Sequence, residues 1–159
     1  MDNILLILSR FATAWVLCLY CIYLLVVNYT NINIPLYLTN FIISSVVTIG
    51  IHGMILLQGY KDQIQQMYPM IYPYTNILDI LFHLIPLIHI IINKVKLQTI
   101  SDKTTKKNRS KKNSLLLFAS LIVLYLIYIR DLSQVYFNVS HYQILIITVC
   151  LYSSVLYMI

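Results

Sequence analysis

The residues with the greatest capacity for chemistry lie in one apolar stretch, NILDILFHLIPLIHIIIN, at 76–93. It contains one acid, Asp79, two imidazoles, His83 and His89, and one proline, Pro86. At about 100° per residue, Asp79, His83 and Pro86 fall on one stripe of a helix, whereas His89 lies about 80° away. A carboxylate one turn from an imidazole can hydrogen-bond and orient it, which is the minimum for a proton relay or a general base.

A second polar stripe precedes this stretch, because Ser44, Thr48 and His52 recur at i, i+4 and i+8. An ionisable side chain at the centre of a membrane helix costs about 2.5–3.5 kcal/mol, so both stripes are predicted to face the interior of a helix bundle. Asp79, His83 and His52 are therefore the candidate catalytic residues. The same three side chains could handle a proton or bind a metal ion. The sequence predicts no cofactor and no dedicated metal site.

The elements that must position these residues are long apolar helices. The chain of 159 residues is 60% hydrophobic and only 10% charged, with a mean hydropathy of +0.80, outside the range of ordinary soluble domains. Lipid offers the backbone no hydrogen-bond partners, and a spanning helix needs roughly 20 apolar residues. We therefore predict an all-α integral membrane bundle forming a single domain over 1–159. Its five predicted helices cover residues 4–27, 41–59, 77–93, 114–129 and 143–159.

The orientation of this bundle is predicted from a basic loop at 94–113, which holds eight of the eleven Lys and Arg residues. Loops rich in Lys and Arg stay on the cytoplasmic side, so five helices give an outer amino terminus and a cytoplasmic carboxy terminus. Arg10 has the opposite influence, because it favours an inner amino terminus. Asp79, His83, His52 and Arg10 then share the outer half of the membrane. An Arg10 to Asp79 ion pair is the structural alternative to a functional site.

The expected partners follow from the same charges. Each Lys or Arg of 94–113 can contribute about 1 kcal/mol of attraction to anionic lipid headgroups of the bilayer. Nucleic acid is not an expected partner, since no aromatic residue interleaves these charges. A homo-oligomer is compatible with the pattern. The sequon at Asn138 faces outward under this topology, which makes it the candidate glycosylation site.

Two classes of chemistry are excluded by composition. The five acids are all aspartates, and the absence of glutamate makes the paired carboxylates of a glycosidase hard to assemble. Cys18, Cys21 and Cys150 all lie in apolar runs, so we predict small packing residues rather than a secreted disulfide framework or a redox pair.

Two resemblances add expectations. The abundance of Ile, Tyr, Asn and Lys resembles that of uncharacterised multi-pass membrane proteins of giant AT-rich DNA viruses, which implies a host-cell membrane location. The segment LYLTNFI at 36–42, followed by His83 and a proline, resembles the androgen-induced class of membrane hydrolases. That resemblance implies lipid hydrolysis with Thr39 as nucleophile and His83 as base. The further helix that the family usually has between these two elements is missing here.

The sequence thus predicts a multi-pass integral membrane protein of structural or interaction type, whose polar side chains orient its helices. The alternative is a membrane-embedded site that uses Asp79, His83 and His52 for proton or metal handling, or a Thr/His lipid hydrolase. Enzymatic activity is left open, with the structural role preferred.

Overall fold

A computed structural model describes residues 11–30, 32–100, 107–129 and 141–158, with the backbone alone at 53–63, 94–100, 107 and 141–144. Every regular element in these ranges is helical, which confirms the predicted all-α class. The π-helical turn at Ile80–Leu84, called the π segment below, joins α3 to α4 without a break. The α-helices are α1 Ala12–Tyr29, α2 Leu36–Met67, α3 Thr75–Asp79, α4 Ile85–Ile100, α5 Lys107–Ile129 and α6 His141–Met158.

Three helical runs of the described chain are long and apolar enough to cross a membrane. They are Ala12–Tyr29, Tyr72–Asn93 and Asn108–Ile129, and shorter apolar helices cover Leu36–His52 and Leu145–Met158. Long helices with such apolar surfaces are typical of a membrane protein. The five predicted spans and their orientation stay predictions.

The helices extend beyond the apolar segments from which they were predicted. α2 continues to Met67 rather than ending at residue 59, and α4 and α5 take in residues 94–100 and 107–113 of the predicted basic loop. Hydropathy detects only the apolar part of a helix, whereas Lys, Arg and Gln also favour helical backbone. Residues 4–10 of the first predicted helix lie outside the described residues. α2 ends just before Pro69, which has no amide hydrogen with which to continue the helix.

α2 is the central helix, and it packs against α1, α4, α5, α6 and the π segment. All eight residues from Thr39 to Val46 are buried, so this part of α2 meets neighbours on every side. The core around it contains Ile43 and Ile90, together with Tyr152 and Leu156. A helix surrounded in this way positions every other element of the bundle.

Side-chain contacts identify the two ends of the bundle. At one end, called the Ser110 end, Asn40 near the start of α2 contacts Ser110, and Lys111 contacts Tyr157 of α6. At the other end, called the Tyr68 end, Phe11 before α1 packs edge-on against Tyr68, which follows α2. The start of α1 and the connection from α2 to α3 therefore lie together, opposite the basic start of α5.

The cysteines do not pack as predicted. Cys18, Cys21 and Cys150 are all free and exposed on the surfaces of α1 and α6. The prediction of small packing residues is therefore wrong, because the rotation of an apolar helix in a bundle is not encoded by the apolar character of its residues.

Candidate functional site

The π segment is the local feature that forms the candidate site. The amide of Ile85 donates to the carbonyl oxygen of Ile80, five residues earlier, so this turn is wider than an α-helical one. Pro86 follows at once, and it has no amide hydrogen with which to continue the α-helical ladder. Wide turns of this kind are a recognised way for a helix to accommodate such an interruption. The interruption at Pro86 thus takes the form of a π turn immediately before it, and His83 is the buried residue of that turn.

A continuous chain of hydrogen bonds runs through His83. Its Nδ1 lies 2.7 Å from Oδ1 of Asp79, and its Nε2 lies 3.0 Å from Oγ1 of Thr13 in α1. A carboxylate can only accept, so Nδ1 carries the proton and donates to Asp79. In the neutral ring Nε2 is then an acceptor, and the Thr13 hydroxyl donates to it. The Asp79 to His83 hydrogen bond that the spacing predicted is confirmed, whereas the partner on α1 was not foreseen.

The three members of this chain differ in their exposure. His83 is buried, with 7% of its surface exposed, whereas the Asp79 side chain is 34% exposed and Thr13 is half-buried. The imidazole is therefore shielded at the centre while the groups at both ends approach the surface. Hydrogen bonds to a shielded ring are electrostatically stronger than the same bonds in water. Asp79, placed one turn away, can fix the ring and its tautomer.

Close packing against α2 fixes the backbone at His83. A Cβ built on Gly50 would lie 3.3 Å from the carbonyl oxygen of His83 and 3.4 Å from Cβ of Leu87. The glycine thus lets α2 approach the π segment more closely than a larger residue would allow. His83 is therefore held from α2 through its backbone, and from α1 and α3 through its ring.

His52 does not join this group. Its Nδ1 lies 3.2 Å from Oγ1 of Thr148 in α6. In the part of the chain that the structure describes, no three His, Cys, Asp or Glu side chains are grouped so that they could hold a metal ion. The expected set of Asp79, His83 and His52 is therefore divided between two separate contacts, because successive faces of α2 meet different helices.

His89 contacts α1 as well, although helical counting places it off the Asp79 stripe. Its Nδ1 is hydrogen-bonded to the hydroxyl of Tyr20, and the two rings meet edge-on with centroids 5.9 Å apart. Counting at 100° per residue does not hold across the π segment, since a π turn contains more residues than an α turn. Both histidines consequently contribute to the contact with α1.

The remaining predicted residues have other surroundings or fall outside the described ranges. Thr39, the nucleophile implied by the hydrolase resemblance, is fully buried and accepts a hydrogen bond of 3.3 Å from the Tyr23 hydroxyl. The hydroxyl that reaches His83 is that of Thr13 instead. Arg10 and Asn138 lie outside the described residues, so the Arg10 to Asp79 ion pair and the glycosylation site stay predictions.

No sequence signal identified Thr13. It is one hydroxyl in an apolar helix, and its partner is 70 positions away in the chain. Depth gave no signal either, because Thr13 is nine residues into the predicted helix 4–27 whereas Asp79 is two residues into the predicted helix 77–93.

Comparisons with known families, curated proteins and solved structures find no match to this chain. The resemblance of residues 36–42 to the androgen-induced hydrolases is therefore not accompanied by a family match.

Proposed function

We propose that this protein is an integral membrane hydrolase in which Thr13 is the nucleophile, His83 the general base and Asp79 the acid that orients the base. The observation that carries the proposal is the unbroken chain from Thr13 Oγ1 through the His83 ring to Asp79 Oδ1, with contacts of 3.0 and 2.7 Å. A hydroxyl, an imidazole and a carboxylate in this order are recognised by geometry and not by their order in the sequence.

The reaction that this arrangement supports is acyl transfer to water. The Thr13 hydroxyl attacks the carbonyl carbon of an ester while His83 Nε2 takes its proton, and Asp79 stabilises the imidazolium that forms. His83 then returns the proton to the departing alkoxide, which leaves as an alcohol. Water, activated by the same Nε2, attacks the acyl-threonine and releases a carboxylic acid, and the Thr13 hydroxyl is restored. Asp79 accepts the hydrogen bond from His83 Nδ1 at every step and takes no part in the bond changes.

The depth of the site favours a lipid ester as substrate. Thr13 is the second residue of the apolar helix Ala12–Tyr29, and Asp79 lies about two turns into the apolar run Tyr72–Asn93. Phe11, two residues before Thr13, packs on Tyr68, so both positions lie toward the Tyr68 end of the bundle. The ester groups of glycerolipids lie at the boundary between headgroups and acyl chains, where interfacial segments also reside. The substrate class is therefore an acyl ester presented from within the bilayer.

The surrounding membrane architecture is part of the proposal. Five spans, an outer amino terminus and a cytoplasmic carboxy terminus agree with the position of Phe11 at the Tyr68 end and of Tyr157 at the Ser110 end. Arg109, Lys111 and Lys112 at the start of α5 then meet anionic lipid headgroups at the Ser110 end. The hydrolytic site lies in the opposite, outer leaflet.

The proposal is tested by labelling the protein, purified in detergent, with a fluorophosphonate probe that reacts with activated hydroxyl groups. We expect labelling of the wild type and of Thr13→Ser, and loss of labelling in Thr13→Ala and His83→Ala. Asp79→Asn should slow labelling by orders of magnitude, because the ring loses its correct tautomer. Hydrolysis of a short-chain acyl ester should follow the same order.

The matched control is Thr148→Ala, which removes the other threonine to histidine contact, at His52, and should label like the wild type. A wild type that does not label, or equal labelling of wild type and Thr13→Ala, would overturn the hydrolase. The Thr13–His83–Asp79 chain would then be a link between α1 and the π segment in a protein of structural or interaction type.

A further inference from the structure

A line of polar residues runs along the central helix away from the hydrolytic site. Asn40, Ser44, Thr48 and His52 recur every four residues on α2. Within the described part of the chain, Asn40 Oδ1, Ser44 Oγ, Thr48 Oγ1 and His52 Nε2 have no hydrogen-bond partner. The neighbouring Ser45 Oγ has none either. All five of the buried side-chain polar atoms that lack a partner in the described part of the chain therefore lie on α2.

These atoms are deeply buried. Ser44 and Thr48 are 0% exposed, Ser45 is 1% exposed and Asn40 is 5% exposed. Buried polar groups in native proteins nearly always have a partner, either protein or ordered water, because an unpaired one keeps the full cost of its desolvation. The two serines and the threonine do not use the preceding turn of their own helix as a partner, which many such residues do. The stripe therefore has hydrogen-bonding capacity that the protein itself does not use.

The spacing of the stripe matches that of bridging water molecules. Residues four apart on a helix are separated by about 6 Å along its axis. Two successive hydrogen bonds through one water oxygen span about 5.6 Å. A hydroxyl can both donate and accept, so one water between each consecutive pair can be bonded to both of its neighbours. Buried waters typically make about three hydrogen bonds, and Ser45 is placed beside the stripe to supply a further partner.

The ends of the stripe are defined by contacts with two different helices. Asn40 Nδ2 donates to Ser110 Oγ of α5 at 3.2 Å, and His52 Nδ1 contacts Thr148 of α6. Each step of four residues turns the stripe by about 40°, or roughly 120° in all, so it passes from the α5 side of α2 to the α6 side. The stripe thus follows the junction of three helices, with protein hydrogen bonds at both ends.

We propose that this junction binds a file of water molecules, one between each consecutive pair of Asn40, Ser44, Thr48 and His52. The ligand is water, and the file extends over about 18 Å along the axis of α2. It is independent of the hydrolytic site, because it lies on contacts with α5 and α6, whereas Thr13 and His83 lie on contacts with α1.

Water-edited solid-state NMR of the protein in lipid bilayers tests the proposal directly. We expect the Cβ signals of Ser44 and Thr48 to receive magnetisation from water early. The matched control is Ser114, which is also 0% exposed but whose hydroxyl is bonded to the carbonyl oxygens of Tyr37 and Ser110. Transfer to Ser44 and Thr48 as slow as that to Ser114 would overturn the water file.

Thermal unfolding gives a second test, because the change in Tm has opposite signs for a hydrated stripe and for a dry one. If the file is present, Thr48→Val takes a partner from two waters, and the Tm should fall by about 2–4 °C. Ser44→Ala should act similarly, and the double variant should lose less than the sum because the two residues share one water. A Tm that rises in Thr48→Val would show a dry, unpartnered hydroxyl and would contradict the proposal. Ser154→Ala, an exposed serine bonded to Cys150, is the control and should leave the Tm unchanged.

Discussion

At the scale of single residues, the described histidine side chains follow one rule. His52, His83 and His89 each contact a hydroxyl from another helix, supplied by a threonine or a tyrosine. An imidazole in an apolar helix needs such a partner because lipid offers none. His83 differs from the other two in that its second nitrogen is held by an acid. This difference is why His83, and not His52, is the proposed base.

One residue-scale prediction concerns Tyr152, which is fully buried and stacked on Phe118 with centroids 3.7 Å apart and planes 2° from parallel. Its hydroxyl donates to the carbonyl oxygen of Ser114 at 3.1 Å. Tyr152→Phe removes this hydrogen bond alone and should lower the free energy of unfolding by about 0.6 kcal/mol, the average for such bonds in membrane proteins. Tyr152→Ala also removes the stacked ring and should cost roughly 3 kcal/mol.

Unfolding of the detergent-solubilised protein in sodium dodecyl sulfate can be followed by the fluorescence of Trp15, the single tryptophan, which packs on Tyr125 and Tyr128. Equal losses in the two variants would show that the ring stack contributes nothing beyond the hydrogen bond.

How far the candidate site could be predicted depended on the range of each contact. Asp79 and His83 are one turn apart in one helical run, so their hydrogen bond could be read from spacing alone. Thr13 could not, because its contact depends on how α1 is rotated against a different helix. Thr39 was suggested by a short motif, yet the rotation of α2 turns it to Tyr23. Local geometry is encoded in the spacing of residues, whereas helix rotation is decided by packing of the whole bundle.

At the scale of elements, the π segment and Gly50 act together. The π turn brings His83 inward, and the glycine allows α2 to lie against its carbonyl oxygen. A change in the π segment or at Gly50 should therefore move the His83 imidazole relative to Thr13.

We predict that Gly50→Leu displaces the π segment, because its Cβ alone would stand 3.3 Å from the carbonyl oxygen of His83 and the rest of the side chain has less room. Overpacking of this kind costs roughly 1–3 kcal/mol. The free energy of unfolding should fall by that amount, as measured through Trp15 fluorescence, and fluorophosphonate labelling should fall with it. Ala119→Leu, at an exposed position of α5, is the control for added volume. Wild-type stability and labelling in Gly50→Leu would show that α2 does not hold the π segment.

The sequence predicted that the apolar segments are helices, but it did not predict how long the helices are. Apolar runs identified helices near each of the five predicted segments, but the continuation of α2 to Met67 and of α4 to Ile100 passes through polar sequence. Hydropathy cannot identify these extensions, because polar residues such as Gln and Lys are also good helix formers. The π turn has its only sequence signal in Pro86, which indicates an interruption without specifying its form.

At the scale of the whole molecule, the outer surface is apolar along the helices. Ile22 and Leu25 of α1, Ile91 and Ile92 of α4 and Ile127 of α5 are all more than half exposed. Lipid is the environment in which such a surface has no cost. Five of the nine buried polar side chains in the described ranges lie on α2, where a water-soluble protein of this size would have a mainly apolar helix.

The orientation of the bundle is tested by single cysteines introduced after the three natural ones have been replaced by serine. Tyr74→Cys lies beyond the Tyr68 end and Lys112→Cys near the Ser110 end, and both positions are exposed. In sealed right-side-out vesicles we expect a membrane-impermeant maleimide to label Tyr74→Cys at once and Lys112→Cys only after permeabilisation. Labelling of both from the same side would show that the run Tyr72–Asn93, most of which lies between them, does not cross the membrane, and would contradict the proposed five spans.

The contact between Lys111 and Tyr157 connects two parts of the molecule thermodynamically. The Lys111 ammonium donates to the carbonyl oxygen of Tyr157 at 3.2 Å and lies 4.9 Å from the centroid of its ring. That carbonyl belongs to the last turn of α6, where the helix leaves its oxygens unpaired and its dipole is negative. The cap of one helix is therefore supplied by the cationic start of another. An anionic headgroup that binds Lys111 competes with this cap, so headgroup binding should promote fraying of the last turn of α6. By thermodynamic linkage, fraying of that turn strengthens headgroup binding by the same free energy.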